Sequence, residues 1–316
     1  MGVNLREIKS PEKFLKEMLR LKSKGKTIGF VPTMGALHEG HLSLVRQAKR
    51  ENDFVAVSIF VNPLQFGPKE DFGKYPRVLE KDKKLLNQIK TDYLFHPQPA
   101  AIYPCHSRKP SSRAAKSLSG NPLDPPVKPE DDRTLVEPAP ELVQTLCALF
   151  RPGHFRGVTT VVAKLLNIVQ PDKVYFGAKD YQQAIILKRM IQDLNFGCEF
   201  QMVPTVREKD GLAMSSRNAY LNPEERRRAV AVSKTLFWAR ARLLAGEKSL
   251  ARIKKEAVRL LKEAAEKVQY FEIVDPENLS VLKHPQAEMV VAAACFVGKT
   301  RLIDNVIIDK IQKGSF

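Results

Sequence analysis

Two histidines, His38 and His41, stand close together in the stretch Phe30–His41, FVPTMGALHEGH. The apolar run Thr27–Val31 before them predicts a strand, and the apolar spacing of Leu42–Arg50 after them predicts a helix that packs on a sheet. A tight turn that leads into a helix N-terminus binds anions readily, because the first N–H groups of a helix lack partners and the helix dipole favours negative charge. Since residues at i and i+3 share a helix face, we expect both imidazoles to reach one phosphate group.

The same His-x-x-His spacing also occurs in ordinary core helices that carry two surface histidines. Gly35 and Gly40 favour the phosphate interpretation, because a missing side chain lets a base or ribose lie against the backbone. The stretch therefore indicates nucleotide phosphate binding as a ligand class, and it leaves the reaction open.

A second candidate segment is Gly211–Asn218, GLAMSSRN. The hydroxyl groups of Ser215 and Ser216 and the guanidinium of Arg217 suit a polyphosphate, which arginine can grip with two parallel hydrogen bonds. Taken alone, the segment is equally typical of an ordinary serine-rich turn. Its meaning depends on its pairing with the histidine stretch.

The chain has 316 residues and a formal net charge of +17. Nucleic-acid binding is one interpretation of this charge, and a solvated basic surface that attracts anionic substrates is the other. The excess is spread over both halves of the chain, and runs such as Glu224–Arg228 mix both signs, as exposed helix faces do. We therefore expect small anionic substrates and no nucleic-acid partner.

The cysteines and the apolar runs bear on the compartment. Cys105, Cys147, Cys198 and Cys295 are scattered and form no C-x-x-C pair, which favours reduced thiols and argues against a structural zinc site. No apolar run approaches the roughly 18–20 residues of a membrane span, and the first residues lack the apolar core of a secretion signal. We expect a cytoplasmic protein with no membrane partner.

Alternating strands and helices through residue 203 predict an α/β fold, a doubly wound parallel sheet with its site at the carboxyl ends of the strands. The stretch Gln98–Pro140 interrupts this pattern with many Pro, Ser, Lys and Arg residues, and it predicts an extended, partly disordered surface insertion. The predicted helices are Pro11–Lys24, Leu42–Arg50, Val78–Ile89, Glu141–Phe150, Val158–Val169 and Tyr181–Leu194. The predicted strands are Thr27–Val31, Phe54–Val61, Tyr93–His96, Lys173–Gly177 and Cys198–Val203.

The C-terminal part has a different pattern, which predicts a smaller α+β domain. We place the boundary between residues 1–204 and residues 205–316. Two charged amphipathic helices are predicted at 223–245 and 250–267, and strands at Tyr270–Val274, Met289–Phe296 and Arg301–Ile308.

Taken together, the two phosphate segments resemble the HIGH and KMSKS signatures of the nucleotidylyl-transferase and class I aminoacyl-tRNA synthetase superfamily. Within it, the motifs of this chain are similar to those of the pantothenate synthetase (pantoate–β-alanine ligase) family, in the same order. These motifs are Pro32–His41, Ser58–Phe66, Arg151–Val158, Phe176–Gln183 and Asp210–Leu221.

The resemblance implies a Rossmann-like ATP- and pantoate-binding domain, a C-terminal lid domain and a homodimer. It also implies a two-step ligation, in which pantoate attacks the α-phosphate of ATP to give pantoyl adenylate and pyrophosphate. The amine of β-alanine then displaces AMP to form pantothenate. Catalysis of this kind depends on alignment and on stabilising the charge that develops on phosphate oxygens. The alternative within the superfamily is a nucleotidyltransferase or tRNA-synthetase-like protein with another acceptor.

The resemblance also implies roles for individual residues. His41 would be the catalytic acid and would donate a hydrogen bond to phosphate, with His38 as its partner. Lys179 would be a further catalytic residue, which holds the triphosphate. Gln65 and Gln183 would bind pantoate, and Mg²⁺ would sit on the phosphates with Asp82 as a protein contact. The implied ATP-binding residues are Met34, Gly35, Ala36, Leu37, His38, Glu39, Gly40, His41, Gly177, Ala178, Lys179, Asp180, Val206, Met214, Ser215, Ser216 and Arg217.

Three departures from the family pattern are visible in the sequence. Ala178 stands where the family commonly has a charged residue, and Lys81 precedes Asp82 where an acidic pair is usual. The stretch Gln98–Pro140 is longer than in typical members. The residues expected to bind phosphate and pantoate are nevertheless all present.

Overall fold

The computed structural model describes residues 5–68, 70–104 and 134–309. The chain divides into two compact units. Unit 1 comprises the described residues of Met1–Pro138, Arg151–Phe176 and Ile186–Val203, and unit 2 comprises those of Ala139–Phe150, Gly177–Ile185 and Pro204–Phe316. Most of the predicted insertion at 98–140 lies outside the described residues. The prediction of an extended surface segment is wrong for its first residues, because Pro99–Ile102 is helical and Ile102 is buried.

The sheet of unit 1 confirms the predicted α/β class. Its described strands run in the order β1-β4-β3-β2-β5-β6, and the pairings of β1 with β4, β4 with β3, β3 with β2 and β2 with β5 are all parallel. Chain order reverses between β2 and β5, so the topological switch point lies at the carboxyl ends of these two strands. The strands are β1 (Arg6–Ile8), β2 (Ile28–Thr33), β3 (Phe54–Ile59), β4 (Tyr93–Phe95), β5 (Lys173–Gly177) and β6 (Glu199–Val203).

The helices agree with the predicted pattern to within a few residues at most ends. They are α1 (Pro11–Lys22), α2 (Glu39–Glu51), α3 (Leu79–Gln88), α4 (Pro99–Ile102), α5 (Cys147–Phe150), α6 (His154–Val169), α7 (Tyr181–Asp193), α8 (Pro223–Leu244) and α9 (Leu250–Lys262). Among the described residues, no helix combines the length and the apolar character needed to cross a bilayer.

Both faces of the central sheet are covered, because neighbouring residues of β2 belong to different apolar clusters. Phe30 packs in the cluster that contains Phe14 of α1, whereas Val31 packs with Val45 of α2. Side chains alternate between the faces of a strand, so a strand that is buried on both faces is a continuous apolar run. This burial holds the end of β2 rigidly where the chain leaves the sheet.

Unit 2 contains an antiparallel sheet in the order β7-β8-β9, as the sequence predicts. Its strands are β7 (Lys267–Val274), β8 (Met289–Val297) and β9 (Thr300–Ile308). β8 is buried almost throughout, and its side chains share one core with those of α8 and α9. The predicted second helix is too long, because Lys267 already pairs with Phe296 as the first residue of β7.

The predicted helix Glu141–Phe150 is wrong. A 3-10 turn covers Pro140–Val143, Leu146 adopts a left-handed conformation at φ +53°, and only Cys147–Phe150 is helical. The side chain of Gln182 bonds the carbonyl oxygens of Leu142 and Thr145 and the N–H of Cys147. Buried backbone groups need partners, and here a glutamine provides those that a continuous helix would have supplied internally.

Candidate active site

The turn that follows β2 is held by a buried aspartate of α3. Gly35 and Ala36 adopt positive φ values of 79° and 51°, a conformation that turns successive N–H groups to one side. Asp82, which is 1% exposed, accepts hydrogen bonds from Ala36 N at 2.9 Å and from Leu37 N at 2.8 Å. The N–H groups of Ala36 and Leu37, which lie within the implied ATP segment, are therefore bonded to a carboxylate of the protein.

Two features make this turn intolerant of change. A Cβ on Gly35 would lie 2.9 Å from Ile59 Cγ2 and 3.0 Å from Asp82 Oδ2, so a side chain has no space there. Burial raises the pKa of the Asp82 carboxyl, and the hydrogen bonds from Leu37 and Ala36 lower it again in part. The carboxylate is thus desolvated, and it depends on these two N–H donors.

The two histidines form a reciprocal cap at the start of α2. His38 is the N-cap residue, and its Nδ1 accepts from Gly40 N at 3.1 Å, while Nδ1 of His41 accepts from His38 N at 3.3 Å. The ring centroids are 4.1 Å apart, so the two rings lie side by side. A neutral imidazole whose Nδ1 accepts carries its proton on Nε2, so each ring has an Nε2–H donor that these cap bonds do not use.

The other residues of the first segment differ in their surroundings. Leu37 is buried, Gly40 is half-buried in the first turn of α2, and Glu39 is exposed. The carboxylate of Glu39 pairs with Arg46 Nη1 at 2.7 Å. The structure thus gives Glu39 a surface ion pair within its own helix.

Gln65 lies at the end of a 3-10 turn, Pro63–Gln65, and is 8% exposed. Its Oε1 accepts from Asn62 Nδ2 at 3.1 Å, and its Nε2 lies 2.8 Å from the sulfur of Met34. Unit 1 therefore brings together Gln65 and Met34, which the sequence assigned separately to pantoate and to ATP. Asn62 was not assigned a role from the sequence, although its N-capping position before Pro63 is a recognisable signal.

Two residues near the start of α6 hold the backbone of Gln65. Arg151 precedes the helix, and His154 is its first residue. The carbonyl oxygen of Gln65 lies 2.8 Å from His154 Nδ1, and it accepts from Arg151 Nη2 at 3.3 Å. Arg151 is in turn held by a two-point ion pair with Glu70. The Arg-Pro-Gly-His motif thus supports the backbone of Gln65, the candidate pantoate residue. Sequence reasoning did not identify this role.

The backbone of Gly157 in α6 lies directly against the backbone of the 3-10 turn that carries Gln65. A Cβ built on Gly157 would lie 2.3 Å from Leu64 O and 2.7 Å from Gln65 N. The carbonyl oxygen of Gly157 also accepts from Asn62 Nδ2 at 2.9 Å. Only glycine allows the helix to touch the turn that carries Gln65.

In unit 2 the second segment forms a short hairpin. Met214 N donates to Val206 O at 3.0 Å, so two of the implied ATP-binding residues are direct neighbours. Ser215 then caps a 3-10 helix, Ser216–Tyr220, and its Oγ accepts from Arg217 N at 3.3 Å. The hydroxyl and guanidinium residues therefore stand together at the start of a 3-10 turn.

The Lys179 segment of unit 2 is also a 3-10 turn, Ala178–Asp180, directly after β5. Lys179 Nζ lies 3.6 Å from Asp180 Oδ1, and the lysine side chain is 18% exposed. The carbonyl oxygens of Ala178 and Lys179 both accept from Asn305 Nδ2, at 2.9 and 2.8 Å. Gly177 precedes this turn, and a Cβ there would meet no atom within 4 Å.

The adjacent glutamines of α7 have different environments. Gln182 is 5% exposed, and its three backbone bonds are structural. Gln183 is half-buried, and its side chain forms no hydrogen bond with any residue that the structure describes. Its amide therefore remains available to a ligand, as the sequence predicts for a pantoate contact.

Within the described ranges, no group of three or more His, Cys, Asp or Glu side chains is arranged to hold a metal ion. Both Asp82 oxygens already accept backbone N–H groups, although each oxygen has a second lone pair. A magnesium ion that enters with nucleotide phosphates usually keeps several waters and takes only one or two carboxylates from the protein. The residues present therefore fit a cation carried by the nucleotide better than a site built by the protein alone.

Comparisons with known proteins agree over nearly the whole chain. The family model described as pantoate-beta-alanine ligase matches residues 5–307. A pantothenate synthetase from Fervidobacterium nodosum is 48% identical over 299 residues, which are 93% of this chain and 98% of that protein. One from a Thermoanaerobacter species is 50% identical over 287 residues, or 90% of this chain and 92% of that protein.

Two solved structures are similar in both sequence and fold. The pantothenate synthetase of Thermus thermophilus has a TM-score of 0.84 and 40% identity, with 96% of this chain and 100% of that chain covered. The pantoate-beta-alanine ligase of Francisella tularensis, which was solved with beta-gamma ATP and beta-alanine, has a TM-score of 0.72 and 32% identity. It covers 98% of this chain and 99% of its own.

Proposed function

Because the chain belongs to the pantoate–β-alanine ligase family, we propose that the residues described above carry out its ATP-dependent synthesis of pantothenate. The chain is a ligase with ATP as co-substrate. In the first step a pantoate carboxylate oxygen bonds to the α-phosphorus, and the bond to the pyrophosphate oxygen breaks. In the second step the β-alanine amine bonds to the acyl carbon, loses a proton, and AMP leaves.

The observation that carries the assignment is the reciprocal cap of His38 and His41. Their Nδ1 atoms accept backbone N–H groups, so each neutral ring carries its proton on Nε2 at the start of a helix. Negative charge on phosphate is stabilised at such a terminus, and it increases on the phosphate oxygens as the carboxylate attacks. We assign His41 as the donor to the reacting phosphate and His38 as its partner.

Unit 2 supplies the remaining ATP contacts of the proposal. Lys179, Ser215, Ser216 and Arg217 bind the triphosphate, since they combine two cations with hydroxyl and N–H donors. Val206 and Met214, which are hydrogen-bonded to each other, contact the ribose or the adenine. The other proposed ATP-binding residues of unit 2 are Gly177, Ala178 and Asp180.

Gln65 and Gln183 are proposed to bind pantoate. A neutral amide can bond both hydroxyl and carboxylate groups, and it does not hold the nucleophilic carboxylate in an ion pair. The unused amide of Gln183 and the rigid support of the Gln65 backbone favour this role.

Mg²⁺ is proposed to enter with ATP. When bound, it neutralises charge on the phosphate oxygens. Asp82 is the proposed protein contact, and it can serve only while it keeps its bonds to Ala36 and Leu37. The protein residues themselves align the phosphates.

We also propose a cytoplasmic homodimer that acts on small molecules without a nucleic-acid or membrane partner. The compartment is supported by the free thiols of Cys147, Cys198 and Cys295. The dimer rests on the resemblance to the family, and a molar mass measured by light scattering tests it.

The test is a pyrophosphate-release assay with ATP and pantoate, with and without β-alanine. We expect one pyrophosphate per site without β-alanine, and sustained turnover with pantothenate and AMP as products when it is added. His41→Ala should lower the rate of adenylation about 10²-fold or more, which is the usual effect of losing a positioned acid. The matched control is His284→Ala, an exposed histidine outside the motifs.

Two results would count against the proposal. Pyrophosphate release that does not depend on pantoate would indicate a nucleotidyltransferase with another acceptor. An unchanged rate in His41→Ala would remove His41 from the mechanism while leaving the family activity in place.

A further inference from the structure

Three polar residues of unit 2, the half-buried Arg207 and the buried Asp304 and Asn305, form one network. Asp304 and Asn305 are consecutive in β9 and are 3% and 5% exposed. Arg207 binds Asp304 through both ends of its guanidinium, at 2.6 and 3.0 Å. The second arginine nitrogen also donates to Asn305 O at 3.1 Å, so the three residues are mutually fixed.

One end of this network reaches the Lys179 turn. The single amide nitrogen of Asn305 donates to two consecutive carbonyl oxygens, those of Ala178 and Lys179. Two bonds from one planar amide fix the orientation of both peptide units that flank Lys179. The start of the Lys179 side chain is thereby set by a residue that lies 126 positions later in the chain.

The other end reaches the hairpin that leads to the serine–arginine segment. Arg207 lies in that hairpin opposite Ala213, and its Nη1 donates to Gly211 O at 3.1 Å. Gly211 has a φ of +94°, a conformation that other residues adopt only with strain, so the turn depends on such support. The guanidinium also lies 4.9 Å from the ring centroid of Phe237, which covers it from α8.

The mechanism derived above assigns no step to these three residues. A buried aspartate needs a partner of opposite charge, because removing either member of such a pair leaves a desolvated charge. The bidentate bonds of Arg207 to Asp304 meet this need. Pairing of the buried Asn305 amide requires acceptors but does not specify which ones; here both acceptors lie in the turn that carries Lys179, and the arginine bonds the hairpin that carries Met214. Both contacts end on segments that the proposed function assigns to ATP.

We propose that the Arg207–Asp304–Asn305 network is a positioning device for ATP, which holds the Lys179 turn and the Val206–Met214 hairpin at a fixed spacing within unit 2. This inference rests on the proposed function only for the identity of the ligand. The three residues touch no substrate themselves, and they act through Lys179 and through the hairpin. Loosening the network therefore weakens ATP binding selectively and leaves the affinity for pantoate nearly unchanged.

The test compares Asn305→Ala with Arg301→Gln, in the full chain. Arg301 lies on the same strand, and it donates to Gln269 and to Cys147, so its loss removes polar contacts of β9 that end on neither ATP segment. The dissociation constant of ATP is measured by calorimetry without pantoate, and KM is measured for ATP and for pantoate. Asn305→Ala should raise both ATP constants about tenfold, as expected for the loss of two buried hydrogen bonds.

The remaining outcomes are decisive. Pantoate KM should change less than about twofold in either variant, and Arg301→Gln should keep the ATP constants of the wild type. If Asn305→Ala does not fold, Asn305→Ser, which retains one donor, is measured in its place with an expected rise of about threefold. Equal changes in the ATP and pantoate constants, or an ATP affinity equal to that of Arg301→Gln, would overturn the inference.

Failure of the proposed function is distinguishable from failure of this inference. A wild-type protein that binds ATP but makes no pantothenate would refute the proposed reaction, and the calorimetric comparison would still test the network. A wild-type protein that makes pantothenate while Asn305→Ala binds ATP normally would refute the network alone.

Discussion

Gly157→Ala offers the sharpest test of how the fold positions Gln65. The new methyl group would lie 2.3 Å from Leu64 O, whereas ordinary contacts begin at 3.4 Å, so the turn must retreat by about 1 Å. Helix propensity acts in the opposite direction, since alanine is about 1 kcal/mol better than glycine inside a helix. Overpacking costs about 1–3 kcal/mol, so the net effect on stability is small or unfavourable, and the displacement of Gln65 dominates.

A displacement of about 1 Å at a substrate-positioning residue can cost about 10²-fold in rate. We therefore expect Gly157→Ala to lower kcat/KM for pantoate about 10²-fold, while the dissociation constant of ATP changes less than about threefold. Steady-state pyrophosphate release gives the first quantity, and calorimetry without pantoate gives the second. The control is Gly197→Ala, where the added methyl group meets no atom within 4 Å.

A double-mutant cycle identifies the residue through which the clash acts. On a Gln65→Ala background, Gly157→Ala should cause little further loss, because the side chain that it displaces is already absent. If Gly157→Ala instead matches Gly197→Ala, or if the two losses multiply fully, the reasoning from close approach to Gln65 is refuted.

Gln183→Ala should raise the pantoate KM and leave ATP affinity intact, and a weaker ATP affinity in calorimetry would contradict its assignment. Asp82→Asn should raise the ATP KM about tenfold, because one N–H of Ala36 or Leu37 then faces an amide donor. An unchanged KM would show that the turn keeps its conformation without the carboxylate. Hydrogen bonding by Arg20 and Tyr93 lowers the pKa of Glu17 to about 2, so its stabilisation is complete above pH 4.5 and is lost as the pH falls towards 2. Because solvent screens the exposed Arg20, Glu17→Gln should lower the free energy of unfolding in denaturant by about 1–2 kcal/mol at pH 7 and by much less near pH 2, where the folded protein is half protonated at Glu17; equal losses at both pH values would contradict this.

Much of the fold follows from local patterns. The run Phe54–Ile59 is apolar at nearly every position that the sheet buries, and such a run predicts a strand that is covered on both faces. The capping position of His38 is likewise local, because its bonds with Gly40 and His41 join residues within four positions. Chain order alone therefore predicts both the doubly wound sheet and the phosphate segment at its edge.

Other features depend on partners that the sequence does not identify. Gln182 and Gln183 are the same residue type on the same helix, yet the side chain of Gln182 bonds the backbone of Leu142 and that of Gln183 bonds no described residue. The interruption of the predicted helix Glu141–Phe150 has the same origin, since Gln182 satisfies the backbone there. Propensity predicts a helix, and tertiary hydrogen bonds override it.

The sequence by itself determined the fold class and the family, and it indicated two candidate phosphate segments, because periodicity and motif order are properties of neighbouring residues. Tertiary structure alone decided that Asp82 holds the turn at Ala36, that Gly157 touches the turn of Gln65, and that Asn305 holds the Lys179 turn. Each of these contacts joins residues that are far apart in the chain. Each is selected because buried polar groups must be paired and interiors must be filled, conditions that only the complete fold can meet.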